Sequence, residues 1–80
     1  MTQPTRRQLA VLHYIRHFIQ IFDYPPTVRE IGWGVGLRSP STVSNHLRHL
    51  VELGLIERQA GRARTLRVTP AGQAMAVLLR

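Results

Sequence analysis

The reading of the fold turns on Thr27-Val28-Arg29-Glu30-Ile31-Gly32-Trp33-Gly34-Val35-Gly36-Leu37-Arg38 and the segment that follows it, Ser39-Pro40-Ser41-Thr42-Val43-Ser44-Asn45-His46-Leu47-Arg48-His49-Leu50. Thr27 with Glu30 three residues on is a capping-box pattern: the hydroxyl accepts the third helical amide and the carboxylate reaches back to the cap. Val28, Ile31 and Val35 then share one face of a short helix. Gly32 and Gly34 each cost that helix about 1 kcal/mol relative to Ala, so packing must hold it. Gly36-Leu37-Arg38 makes a tight turn. Ser39 is an N-cap and Pro40 suits the first helical position, where its fixed φ helps and its missing N–H costs nothing. Val43, Leu47 and Leu50 form the inner stripe of this second helix of the pair, and Gly54 stops it in the left-handed conformation.

Upstream, Thr5-Arg6-Arg7-Gln8 is a second capping box, and Leu9, Leu12, Ile15, Ile19 and Phe22 recur at spacings of three or four. They predict a helix over Arg6 to Phe22, ended by Asp23-Tyr24-Pro25-Pro26. Downstream, Leu55 to Gln59 and Thr65 to Thr69 read as short strands around the Gly-containing loop Ala60-Gly61-Arg62-Ala63. Thr69-Pro70 repeats the cap-plus-proline signal and opens a last helix running to Arg80, with Ala71, Ala74, Met75, Leu78 and Leu79 on its apolar side and Ala76 and Val77 widening it. The expected fold is mainly α with a small β-hairpin: three helices, a two-stranded wing and a C-terminal helix, a winged helix-turn-helix. Residues 1–69 form its body, and 70–80 form a C-terminal helix that either packs on the first helix or supplies a dimer contact.

Composition narrows the chemistry. The chain has 80 residues, 44% of them apolar, which is enough for one core and too little for two. Eleven arginines face four carboxylates for a net charge of +7, and there is no lysine. Such a balance favours nucleic acid as partner, with an anionic membrane surface second. Guanidinium forks suit phosphate and guanine, though an all-arginine choice is equally the mark of a GC-rich genome. No cysteine means no disulfide, thiolate catalysis or Cys-ligated zinc. His13 with His17, and His46 with His49, have two-ligand spacing, but four carboxylates leave few further ligands, and no metal site is expected. Neither a nucleophile–base pair nor a signal peptide is present in the pattern. A soluble, cytoplasmic, nucleoid-associated binding protein without enzymatic activity, cofactor, small-molecule ligand or membrane partner is expected.

The candidate binding residues lie on the third helix and the hairpin. With Val43, Leu47 and Leu50 buried, 100° per residue turns Ser41, Asn45, Arg48 and Glu52 to the opposite face, flanked by Ser44 and His49. Small hydroxyls let a helix sink into a major groove, and Asn and Arg bond base edges bidentately. Ser39, Ser41 and the free amides of that helix start suit a phosphate. From Arg58 to Arg67 the hairpin carries four arginines, Arg58, Arg62, Arg64 and Arg67, and no acid, with Arg62 and Arg64 at or beside the tip. Arg29 and Arg38, near the ends of the second helix, are candidate phosphate clamps, and Thr27 joins them as a candidate DNA contact.

The block Tyr24-Pro25-Pro26-Thr27-Val28-Arg29-Glu30-Ile31-Gly32, followed by Val35-Gly36-Leu37-Arg38-Ser39-Pro40-Ser41-Thr42-Val43, resembles the N-terminal DNA-binding domain of the LexA family of SOS-response repressors. Arg7-Gln8, Val11-Leu12 and Ile15 upstream, and His46-Leu47, Leu50 and Gly54-Leu55-Ile56 downstream, extend the likeness from about Thr5 to Val68. The resemblance implies a winged helix-turn-helix that binds operator DNA as a homodimer with its third helix in the major groove. By position it points to Ser39, Ser41, Thr42, Ser44, Asn45 and Arg48. LexA proteins continue into a self-cleaving domain with a Ser-Lys dyad. A chain ending at Arg80 without lysine is expected to be a stand-alone regulator that does not cleave itself. Asp23 stands where the family usually has Gly, and Val68-Thr69-Pro70-Ala71-Gly72 resembles instead the end of the wing in MarR-type regulators. A rival reading is a protein-interaction module, an assembly or anti-repressor factor, that uses Trp33 and the C-terminal helix.

Overall fold

A computed structural model of the chain describes residues 3–59, 62 and 64–78. The elements run α1 (Arg6–Phe22), α2 (Val28–Val35), α3 (Pro40–Glu52), β1 (Ile56–Glu57), β2 (Arg67–Val68) and α4 (Pro70–Leu78). The helix starts follow from their caps. Both capping boxes are formed in full, Thr5 with Gln8 and Thr27 with Glu30, and Ser39 caps α3 with Pro40 in its first turn. The ends follow from left-handed residues: Asp23 closes α1 at φ 64, and Gly36 closes α2 at φ 76. Past α3, the Leu55 amide donates to the Leu50 carbonyl at 3.0 Å and Gly54 turns left-handed, the usual way of using up orphan carbonyls.

One core joins every layer. Leu12, Ile15, Ile31, Leu47 and Leu50 are fully buried, with Val11 and Val43 beside them and Leu55, Ile56, Leu66 and Ala76 closing the far side. The stripe of α1 sits slightly to one side of the expected one. Val11, Leu12, Ile15 and Phe18 are buried, Leu9 and Ile19 are half-buried, and Phe22 is 49% exposed. Phe22 lies against the Phe18 ring at 4.5 Å between centroids, so it finishes an aromatic ladder at the rim of the core. Gln8 is buried although polar, because both ends of its amide are used. Its Oε1 accepts the Thr5 amide at 2.9 Å, and its Nε2 lies 3.1 Å from His49 Nδ1 on α3.

The wing is shorter than the strand-like runs 55–59 and 65–69. β1 and β2 pair antiparallel over Ile56↔Val68 and Glu57↔Arg67 alone. Beyond them a side chain replaces the ladder: the Thr65 hydroxyl accepts the Gln59 amide at 3.0 Å and lies within reach of the Gln59 and Arg62 carbonyls. Of the expected loop, Ala60, Gly61 and Ala63 lie outside the described residues, as do Leu79 and Arg80.

α4 packs on α1 and β2, and the face it buries matches the expected one only in part. Gly72 and Ala76 are buried and Met75 half-buried, whereas Ala71 and Ala74 face outward. Thr69 sets this orientation. Its hydroxyl donates to the Gly54 carbonyl at 2.6 Å and accepts the Gly72 amide at 3.0 Å, which pins the first turn of α4 over the end of α3. Gly72 then approaches the Leu55 backbone so closely that an added Cβ would sit 2.0 Å from its carbonyl oxygen. Gly72→Ala is therefore expected to destabilise the fold by about 1–3 kcal/mol through overpacking against unyielding backbone. Urea unfolding checks this, with Ala74→Gly at an exposed site as the control for helix propensity.

Candidate nucleic-acid interface

The capped start of α3 and its inner stripe decide which side chains it shows. Because Val43, Leu47 and Leu50 are held in the core, Ser41, Asn45, Arg48 and Glu52 are exposed and Ser44 is half-buried beside them. Arg48 Nη2 lies 3.4 Å from Asn45 Oδ1, so the amide and the guanidinium point into the same space. Ser39 accepts the Thr42 amide at 3.4 Å, a long bond that leaves its hydroxyl exposed at the helix end. Thr42 is half-buried next to it. Pro40 has no amide hydrogen and the Thr42 amide is capped, which leaves the Ser41 amide at the positive end of the helix.

Beside α3 lies a cleft of about 310 Å³ between the start of α2 and the wing. Leu47 of α3 forms part of its wall, with Thr27 and Arg29 on one side and Arg58, Arg62, Arg64 and Thr65 on the other. The residues described around it include four arginines and no acid. Such a hollow attracts anions, because the field lines of several cations converge where low-dielectric walls limit screening. Arg58 is the contributor that reasoning on the sequence left out of its binding set. Its place as the first of four arginines in the hairpin is the available signal.

Arg64 is placed otherwise than a solvent-facing tip residue. Its Nη1 donates to the Pro25 carbonyl at 2.9 Å and to Glu30 Oε1 at 3.2 Å, and its Nη2 donates to Glu30 Oε2 at 3.2 Å. The guanidinium lies 4.8 Å from the centroid of the Tyr24 ring. The Glu30 carboxyl is held below the usual carboxylate range, first by the hydrogen bond from the Thr27 backbone amide and next by Arg64. Arg64 is thus tied to α2 at the wall of the cleft although, like Arg62, it remains exposed to solvent.

A second cleft, about 570 Å³, opens at the turn between α2 and α3. Val28, Gly32, Leu37, Pro40 and Val43 floor it, Trp33 stands over it 73% exposed, and Arg29 and Arg38 are at its edge. Among the described residues no three His, Cys, Asp or Glu side chains gather as metal ligands, and no helix is long and apolar enough to cross a membrane.

Residues 1–65 match the model of the LexA DNA binding domain. This chain belongs to the LexA DNA-binding domain family. It is similar to LexA repressors from Moorella thermoacetica (53% identical over 62 residues), Enterococcus faecalis (50% over 66) and Limosilactobacillus reuteri (46% over 66). These matches cover 76%, 82% and 82% of this chain and 30%, 32% and 32% of the relatives. The chain therefore spans about a third of the length of the curated relatives it matches. Its fold is also similar to that of a MepR mutant from S. aureus. The TM-score is 0.75 at 28% identity, covering 92% of this chain and 54% of that one. The LexA-type domain is thus a winged helix, and the C-terminal helix α4 lies beyond the matched family segment.

Within this LexA-type domain one titrating group bears on stability. His46 on α3 is half-buried, and its Nδ1 is buried without a hydrogen-bond partner. Burial pushes its pKa below the ordinary value, and the charges of Arg7 and His49 push the same way. The unfolded chain then binds the proton more readily than the folded one. The contribution of His46 is complete above the unfolded value, about 6.5, and is lost as pH falls through the lower folded value. Between pH 7 and 5 the wild-type chain should lose more stability than His46→Gln. Urea unfolding across that range checks it; equal slopes would exclude His46 as the source.

Proposed function

We propose that this chain is a sequence-specific module for double-stranded DNA in a transcriptional regulator of the LexA-like repressor type. α3 enters the major groove and the Arg-lined wing holds the backbone. The observation that carries this reading is the pairing of an exposed α3 face of small polar groups with an arginine cleft walled in part by the same helix. Ser41, Ser44, Asn45 and Arg48 read bases. Ser39 and Thr42 seat the helix on the backbone. Arg29, Arg38 and Arg62 neutralise phosphates, the Thr27 hydroxyl hydrogen-bonds one, and Arg64 acts from behind them through the wing. The relatives are named as repressors, and that supports repression as the sense of control. The action is binding, without catalysis or cofactor, in the compartment that holds the chromosome.

A homodimer on a two-fold operator suits a module with so few base-reading side chains. Ala71, Ala74 and Val77, the outward side of α4, are the surface we assign to it, and Val77 is 52% exposed. Val77→Asp should shift the sedimentation equilibrium of the chain towards monomer. A monomer at all concentrations in the wild type would remove the dimer from the reading.

The contacts separate by their response to sequence and salt. Asn45→Ala should cost about 1–3 kcal/mol at the preferred site and relax discrimination there. Arg62→Ala should weaken all duplexes alike and flatten the slope of log affinity against log salt by about one unit. Fluorescence anisotropy on a duplex chosen by randomised selection, in a salt series, measures both. The rival, a protein-docking role centred on exposed Trp33, requires instead that duplex affinity be absent at low salt.

A further inference from the structure

We infer that Glu30 is a positioning residue for the wing: its carboxylate grips Arg64 with both oxygens, and through Arg64 it fixes the wing against the start of α2. The consequence for binding rests on the DNA reading above; the structural claim does not.

Several independent observations meet at this pair. The two-stranded ribbon contains two residue pairs, too few to be stable alone. Its outer part is held locally by the Thr65 hydroxyl and needs a tether to the body of the fold. Arg64 is that tether, with three hydrogen bonds to residues 34 and 39 positions away in sequence and a ring face beneath it. Its backbone is left-handed at φ 59, a conformation a non-glycine residue keeps only where its surroundings over-determine it. Glu30 is equally committed. Oε1 accepts the Thr27 amide at 2.8 Å while both oxygens face the guanidinium, so the same carboxylate starts α2 and fastens the wing to it. Exposed ion pairs are usually weak. This one is a two-pronged fork, geometrically fixed at each end, with side chains 40% and 28% exposed.

The arrangement also assigns roles within the cleft. Arg29, Arg58 and Arg62 have no carboxylate partner among the described contacts and are available to phosphate. Arg64 has its charge met inside the protein. It shapes the cleft and contributes little to counterion release.

The test is Glu30→Gln. Glutamine keeps the reach-back to the Thr27 amide, since either residue serves the capping box, so the change removes the negative charge that faces Arg64 and spares the helix start. Hydrogen–deuterium exchange should show faster exchange at residues 56–59 and 65–68, with α1 and α3 protected as in the wild type. Duplex affinity should fall about fivefold for every sequence, with the salt slope unchanged. Arg64→Gln should give the same pattern, and the double variant should be no worse than either single one, since each removes the same interaction. Unchanged wing exchange overturns the inference. So does an affinity that rises with a salt slope steeper by about one, which would mean that Glu30 withholds Arg64 from phosphate. If the wild type binds no duplex, the DNA reading falls, and the exchange result still decides the role of Glu30.

Discussion

The burial of Ile31 with Leu12, Ile15, Leu47 and Leu50 is the contact on which the rest of the molecule depends. α2 has eight residues and two glycines in its body, and no isolated helix of that length persists in water. It exists because Ile31 enters a hollow shared with α1 and α3. Once α3 is committed to that core through Val43, Leu47 and Leu50, its opposite face is no longer free to vary in direction. The period of the helix places Ser41, Asn45 and Arg48 outward together. The polar face that the proposed function uses is therefore a geometric consequence of three aliphatic side chains.

Charge is arranged on that frame with few acids. Four carboxylates serve a chain with net charge +7, and the position of each matters more than in a balanced surface. Glu30 is placed where it meets two obligations at once, the orphan amide of Thr27 and the guanidinium of Arg64. The remaining cations around the cleft then stay in mutual repulsion, which an anionic partner relieves. A folded domain that keeps arginines together at some cost in stability has its binding preference written into its electrostatics.

What sequence made legible here is what is local. Capping boxes at Thr5 and Thr27, Ser39 before Pro40, and the left-handed stops at Asp23 and Gly36 all act within four residues, and the helix limits agree with them. The exposed face of α3 was readable for the same reason. The parts that sequence misplaced depend on distant partners. The buried side of α4 is set by Thr69 bonding to Gly54 and by Gly72 meeting Leu55, so Ala71 and Ala74 face out while Met75 stays half-buried. Gln8 is a different case: its capping role was legible, and its burial beside His49 on another helix was not. Arg64 looked like a wing-tip cation, and nothing near it in sequence reveals Pro25, Glu30 and Tyr24 as its neighbours.

The absence of lysine has a structural use whatever its genomic cause. At Arg64 a lysine could donate to one carboxylate oxygen and to the Pro25 carbonyl, but a point charge on a flexible stem cannot span both oxygens while lying flat over Tyr24. The planar fork does all three, with each bond constraining the orientation that the others require. The same planarity at Arg48, beside the Asn45 amide, suits a base edge rather than diffuse phosphate attraction. Arg64 and the proposed base reader Arg48 thus differ in whether a carboxylate lies within the fold to receive the fork. Arg64 has Glu30; Arg48 has a neutral amide and leaves its charge for a partner.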